Sequence, residues 1–152
     1  DMAFSPRPPQ ATLTQQRAEH AASLAHGTLP SRLDLTLSEA LVIGLLRQGV
    51  KIYFAVFGHG STELGEVLRI YQAAGLLKVY GVRSEIEASH AAAALRWVTG
   101  EKAAVVTSIG PGALQALAAS LAPASDGLGV WYLFGDETTE DERSAAFEAR
   151  EL

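Results

Sequence analysis

The chain has 152 residues, 48% of them hydrophobic, which suits one domain with a sizeable core and excludes a disordered chain. It contains no cysteine, which excludes disulfides, zinc–thiolate sites and thiol nucleophiles and points to the cytoplasm. The formal charge of −5 is concentrated in residues 136–152, where seven acids stand against two arginines; the remainder is balanced, so no basic stripe offers a nucleic-acid footprint.

Residues 1–34 read as an N-terminal extension. Pro6, Pro8 and Pro9 bar an early helix, and Gln15, Gln16 and the run from Ala21 to Ala25 predict a short one before Gly27 and Pro30. No basic start followed by an apolar run marks a secretory signal, and the densest apolar stretch, Ala40 to Leu46, is far too short for a bilayer.

From Leu35 the pattern becomes regular. Thr36-Leu37-Ser38-Glu39 is a capping box that opens a helix to Gln48, with Gly49 as its stop. Residues 52–57 form a continuous apolar run rich in strand formers, and Gly58-His59-Gly60-Ser61-Thr62 is a tight loop after it. A helix over residues 63–73 and a strand over 77–82 follow. Ser84-Glu85-Ile86-Glu87 is a second capping box, whose helix ends near Thr99-Gly100. Residues 103–107 are the third strand, Pro111 occupies a helix first turn, and residues 129–134 are the fourth strand.

Strands that alternate with helices, without hairpin turns, predict an α/β fold. The expected architecture is three-layered: a parallel sheet with helices on both faces, flavodoxin- or Rossmann-like. Its domain spans residues 35–136 and is incomplete at its C-terminal end, with residues 137–152 as an acidic tail. Ligands of such sheets sit beyond the carboxyl ends of the strands. The loops 58–62, 83–87 and 108–112 leave those ends, and Gly135-Asp136 follows the last strand.

Glu85 shares a helix face with Ala88, Ser89 and Ala92, so the surface around it is small. Glu87 lies three residues after Ser84 and is the better capping partner. Glu85 is therefore either a first-turn charge, stabilised by about 0.3–1 kcal/mol, or a buried acid whose pKa burial can raise by up to ~3–5 units. The Gly58 to Thr62 loop outlines a phosphate loop but lacks its lysine and the three-glycine dinucleotide spacing. His59 is a substrate contact, a switch residue or an exposed loop histidine. His90 is equally compatible with a satisfied core position. A Ser108/His90/Asp126 triad can be assembled on paper, but Gly-x-Ser-x-Gly is missing. The glycines at 110 and 112 instead leave room for a flat ligand against bare backbone.

Arg83-Ser84-Glu85, His90, Thr99-Gly100 and Gly110-Pro111-Gly112 stand in one register. Together they resemble the N-terminal pyrimidine-binding (PYR) domain of thiamine-diphosphate-dependent enzymes of the acetolactate synthase type. Phe57-Gly58-His59-Gly60, Ser108-Ile109-Gly110-Pro111-Gly112 and Gly135-Asp136 are similar to the trihydroxycyclohexanedione hydrolase group within that family. The resemblance implies a cofactor, thiamine diphosphate, with Glu85 hydrogen-bonded to N1′ of its aminopyrimidine and favouring the tautomer that deprotonates the thiazolium ring. It implies that Gly58, Ile109, Gly110, Pro111 and Gly112 line the pyrimidine, and that His59, His90 and Gln115 face a small carbonyl substrate. The family's Gly-Asp-Gly motif for the diphosphate and Mg2+ is absent, so a complementary chain in a homo- or hetero-oligomer is expected to supply both. Ala94-Leu95-Arg96-Trp97 and Leu114-Gln115 depart from the family pattern, and the substrate stays open between C–C lyase, hydrolase and carboligase chemistry. The rival expectations are a non-catalytic PYR-like regulatory or interaction subunit and a flavodoxin-like binder of nucleotide or phosphate.

Overall fold

The computed structural model describes residues 8–136. Strands β1 (Val50–Ala55), β2 (Lys78–Gly81), β3 (Lys102–Thr107) and β4 (Trp131–Phe134) form one parallel sheet in the order β2-β1-β3-β4. Helices α1 (Gln10–Ala25), α2 (Leu37–Arg47) and α3 (Thr62–Ala73) cover one face, and α4 (Glu85–Thr99) and α5 (Pro111–Ala119) cover the other. A short helix, α6 (Leu121–Ser125), precedes β4. This is the three-layer α/β architecture that the alternation of elements predicts.

The side-chain period of two divides the central strands between two cores. Tyr53, Ala55, Ala104 and Val106 pack with Val42, Val67, Leu68 and Tyr71. Ile52, Phe54, Ala103 and Val105 pack with Ala88, Ala92 and Ala116. The second core is built mostly from alanines, so α4 and α5 sit close to the sheet and to each other. Chain direction makes the β1/β3 junction special. The connection from β1 runs to β2 on one side, and that from β3 runs to β4 on the other. The crevice beyond their carboxyl ends is the switch point at which such sheets bind ligands.

Helix ends follow the expected chemistry. Thr36 Oγ1 accepts from the Glu39 amide at 3.3 Å, Gly49 takes φ +80°, and Gly100 closes α4 in the left-handed region at φ +76°. The first helix is longer than its local sequence predicts. Pro9 is its N-cap, with ψ 145°, so the prolines set its start rather than preventing it. Segment 8–34 also docks on the domain, with Leu13, Arg17 and Ala21 of α1 buried. The buried position of Arg17 hid that face, because a charged residue breaks the apolar periodicity. The acidic run 137–152 lies outside the described residues.

Two buried tyrosines differ in partnership. Tyr71 donates its hydroxyl to Glu39 Oε1 at 2.9 Å, and His20 Nδ1 lies 3.0 Å from the same oxygen. The Tyr53 hydroxyl is buried with no hydrogen-bond partner among the described residues. Burial pushes both phenols well above the ordinary value near 10, and the Glu39 carboxylate adds to the effect at Tyr71. The folded state therefore keeps protons that the unfolded chain releases above pH ~10, so stability is full below that pH and falls as pH rises beyond it. Denaturant melts should show Tyr71→Phe losing about 1–2 kcal/mol at pH 8, because the buried Glu39 carboxylate then loses the phenol donor and keeps only His20. Tyr53→Phe should be neutral or slightly stabilising at pH 8 and should weaken the alkaline loss.

Candidate functional site

The loops leaving β1 and β3 are stitched together. Within the first, the Gly58 amide donates to Ser61 Oγ and the Ser61 amide donates to the Gly58 carbonyl, both at 3.2 Å. Ser61 is thus spent on its own loop and makes no side-chain cap to α3. Between loops, the Ile109 amide donates to the His59 carbonyl at 3.2 Å, and the Gly135 amide donates to the Thr107 carbonyl at 3.2 Å. Gly60 has φ +78°, and a methyl on it would lie 2.5 Å from Asp136 N and 2.6 Å from Ile109 Cγ2. Only glycine satisfies both the dihedral and the space.

Glu85 opens α4 beside this junction. Ser84 Oγ accepts from the Glu87 amide, and Glu87 Oε2 accepts from the Arg83 amide, each at 3.2 Å. Glu87 therefore does the capping, as its spacing predicts, and Glu85 is left without a structural partner. It is 8% exposed, on one buried face with Ala88, Ser89 and Ala92. Among the described residues its carboxylate makes no hydrogen bond or ion pair. Such a group costs free energy unless the helix N-terminus, residual water or a ligand compensates.

What Glu85 touches is bare backbone. A methyl on Gly112 would lie 2.8 Å from Glu85 Oε1 and 2.5 Å from Ser108 Oγ, and one on Gly58 would lie 2.8 Å from Ser108 Cβ. Glu85, Ser108, Gly58 and Gly112 thus meet at one point, drawn from the ends of β1, β2 and β3. Ile109 and Gly110 are buried behind it, with Gly110 at φ +57°, and Pro111 opens α5.

The other expected site residues are placed differently. His59 is exposed in the β1 loop, and its carbonyl ties that loop to Ile109. His90 and Gln115 are exposed on α4 and α5, and among the described residues neither bonds to the loop cluster. Five residues past Glu85, His90 has rotated well away from the buried face. Ser108 is the site neighbour that the chain pattern underrates. Its hydroxyl contacts the Ile109 carbonyl at 3.4 Å, with no bond to His90 or Asp126. Its signal is its place directly after the last residue of β3, on the crevice side of a glycine turn.

An all-parallel sheet with an orphan acid and bare glycines at its switch point defines a ligand-binding α/β domain. Residues 35–150 match the family model described as thiamine pyrophosphate enzyme, N-terminal TPP binding domain. The chain belongs to that family. No curated protein matches it significantly. Among the described residues, no helix is long and apolar enough to cross a membrane.

Gly112→Ala should press a methyl against Glu85 Oε1 and Ser108 Oγ, two side-chain ends that must swing aside, and destabilise the chain by about 1 kcal/mol. Thermal melts followed by tryptophan fluorescence measure this. A melt equal to that of the unmodified chain would show that both groups move aside without cost.

Proposed function

We propose that this chain is the pyrimidine-binding portion of a thiamine-diphosphate-dependent enzyme that cleaves or forms C–C bonds beside a carbonyl. The observation that carries the reading is Glu85: a buried, unpartnered first-turn carboxylate facing the bare backbone of Gly112. The residues present fit the cofactor. Its aminopyrimidine is flat and needs an acid at one ring nitrogen and a wall without side chains, and Glu85 with Gly58 and Gly112 has that chemistry. When bound, thiamine diphosphate supplies a nucleophilic carbon that adds to a carbonyl and accepts the electron pair of the adjacent bond.

The chain's own residues have simpler tasks. Glu85 holds a proton between its carboxyl oxygen and the ring nitrogen. Gly58, Ile109, Gly110, Pro111 and Gly112 bound the ring, and Ser108 flanks the carboxylate. His59, exposed on the neighbouring loop, is the substrate-side candidate; His90 and Gln115 belong to the substrate only if a partner brings it to the outer surfaces of α4 and α5. The finer assignment is to a hydrolase of cyclic diones, and its support is the shared Phe57-Gly58-His59-Gly60, Ser108-Ile109-Gly110-Pro111-Gly112 and Gly135-Asp136. In this reading residues 35–136 carry the domain.

The diphosphate and Mg2+ belong to a complementary chain in this reading. An apolar surface beside the site supports such a partner: Ile86 on α4, Leu114 and Leu117 on α5, and Leu121 on α6 are exposed. The nucleotide-binding alternative is weakened by the first loop, where the Gly58 and Ser61 amides are already bonded within the loop.

In the assembled enzyme, Glu85→Gln should lower thiamine-diphosphate-dependent turnover by about 10²–10⁴-fold. Circular dichroism should report an unchanged fold, and undiminished turnover would overturn the proposal. Leu117→Glu should weaken association with the complementary chain in analytical ultracentrifugation while leaving the isolated chain folded.

A further inference from the structure

Outside the site, the most unusual group is Arg17 of α1. It is 0% exposed, although arginine is almost never fully buried unless paired. Its Nη2 donates to Glu63 Oε1 at 2.7 Å and to Thr36 Oγ1 at 3.1 Å. Its Nε and Nη1 are buried with no hydrogen-bond partner among the described residues. Burying a guanidinium with two idle donors is costly, so a simple apolar residue would serve anchoring better.

The partners of Arg17 explain its position. Thr36 is the N-cap of α2, and Glu63 is the second residue of α3. Immediately before Glu63 comes the loop that bears Gly58 and His59, and Thr62 Oγ1 donates back to the Gly58 carbonyl at 3.3 Å. The same loop accepts the Ile109 amide and leans on Asp136 through Gly60. A short covalent path therefore joins the buried ion pair to the candidate site. The helix that supplies Arg17 precedes the family-matched residues 35–150, yet Leu13 and Ala21 seat it in the domain.

We propose that α1 is a strap and Arg17 a positioning residue: the Arg17–Glu63 pair fixes the start of α3 and so holds the Gly58–His59 loop in its site geometry. This rests on the reading of that loop as part of the cofactor and substrate site. Three carboxylates face this region from the packed elements. Glu63 bonds to the Arg17 guanidinium, Glu66 is bonded to Arg69, which lowers its pKa as the charge of Arg17 also does, and Glu39 is engaged with His20 and Tyr71. Arg17 is thus matched to Glu63 specifically and not to the nearest buried acid on α2.

Amide hydrogen exchange on the full chain tests the strap without cofactor or partner. Arg17→Met should speed exchange of the amides of residues 60–65 by about tenfold beyond any change in global unfolding, with the amides of residues 85–92 as comparator. A purely structural role would raise both segments equally. Because Arg17→Met takes the guanidinium away from Glu63 and can unfold the chain, Arg17→Met/Glu63→Gln is the second variant. It removes both charges, which is often close to neutral for stability. The same local acceleration should persist in it, and Arg17→Lys should restore part of the protection. Loop exchange that matches the unmodified chain in the double variant, or that only tracks global stability, would overturn the strap. Failure of the cofactor reading would show elsewhere, as Glu85→Gln without effect on turnover while the exchange result stands.

Discussion

The close approach of the Glu85 carboxylate to the side-chain-free backbone of Gly112 constrains the geometry around it. A carboxylate can be tucked into the first turn of α4 only if the opposing backbone comes without a side chain, and Gly112 provides this at the start of α5. The same requirement propagates along the helices. Ala88, Ser89 and Ala92 on α4 and Ala113 and Ala116 on α5 are small and buried, so the two helices lie close together on one face of the sheet. Larger residues there would push α4 outward and lift Glu85 out of the crevice. Packing density and site geometry are thus one constraint, felt at the level of single methyl groups.

The two faces of the sheet are held by different means. The α4/α5 face relies on small residues and close approach. The α1–α3 face has larger side chains, with Val42, Leu68 and Tyr71 in its core, and it carries the buried polar groups Arg17 and Glu39 beside the half-buried Thr36. Apolar burial on that face supplies stability at roughly 25 cal/mol per Å², without direction. The ion pair and hydrogen bonds add direction, because they are satisfied in only one arrangement of three helices. That division suits a site whose acid comes from one face and whose neighbouring loop, 58–62, leads into a helix on the other.

Much of the fold was legible in the chain. The capping boxes at Thr36 and Ser84 predict helix starts that the structure reproduces, and the apolar runs locate all four strands to within a few residues. The assignment of Glu87 to capping follows from spacing alone, because capping depends on bonds three or four residues long, whereas spacing leaves Glu85 open between a first-turn charge and a buried acid. The length of α1 was not legible, since its buried face includes an arginine whose partner lies 46 residues away. The meeting of Ser108 with Glu85 at Gly112 was equally hidden. Neither residue is near the other in sequence, and no local pattern marks a side chain as the neighbour of a distant glycine.

The sequence by itself determined the class of fold, the helix and strand positions, the family resemblance and the singling out of Glu85. These are properties of periodicity, capping and motif register, all short-range along the chain. Tertiary structure decided that Glu85 is buried with no partner among the described residues, that Gly112 faces it, that His90 and Gln115 lie on other surfaces, and that α1 packs against α3. The physical reason is that burial and partnership depend on how β1, β2 and β3 are ordered across the sheet. Parallel crossovers bring together loops that are tens of residues apart, and only the assembled layers determine which groups lose their water.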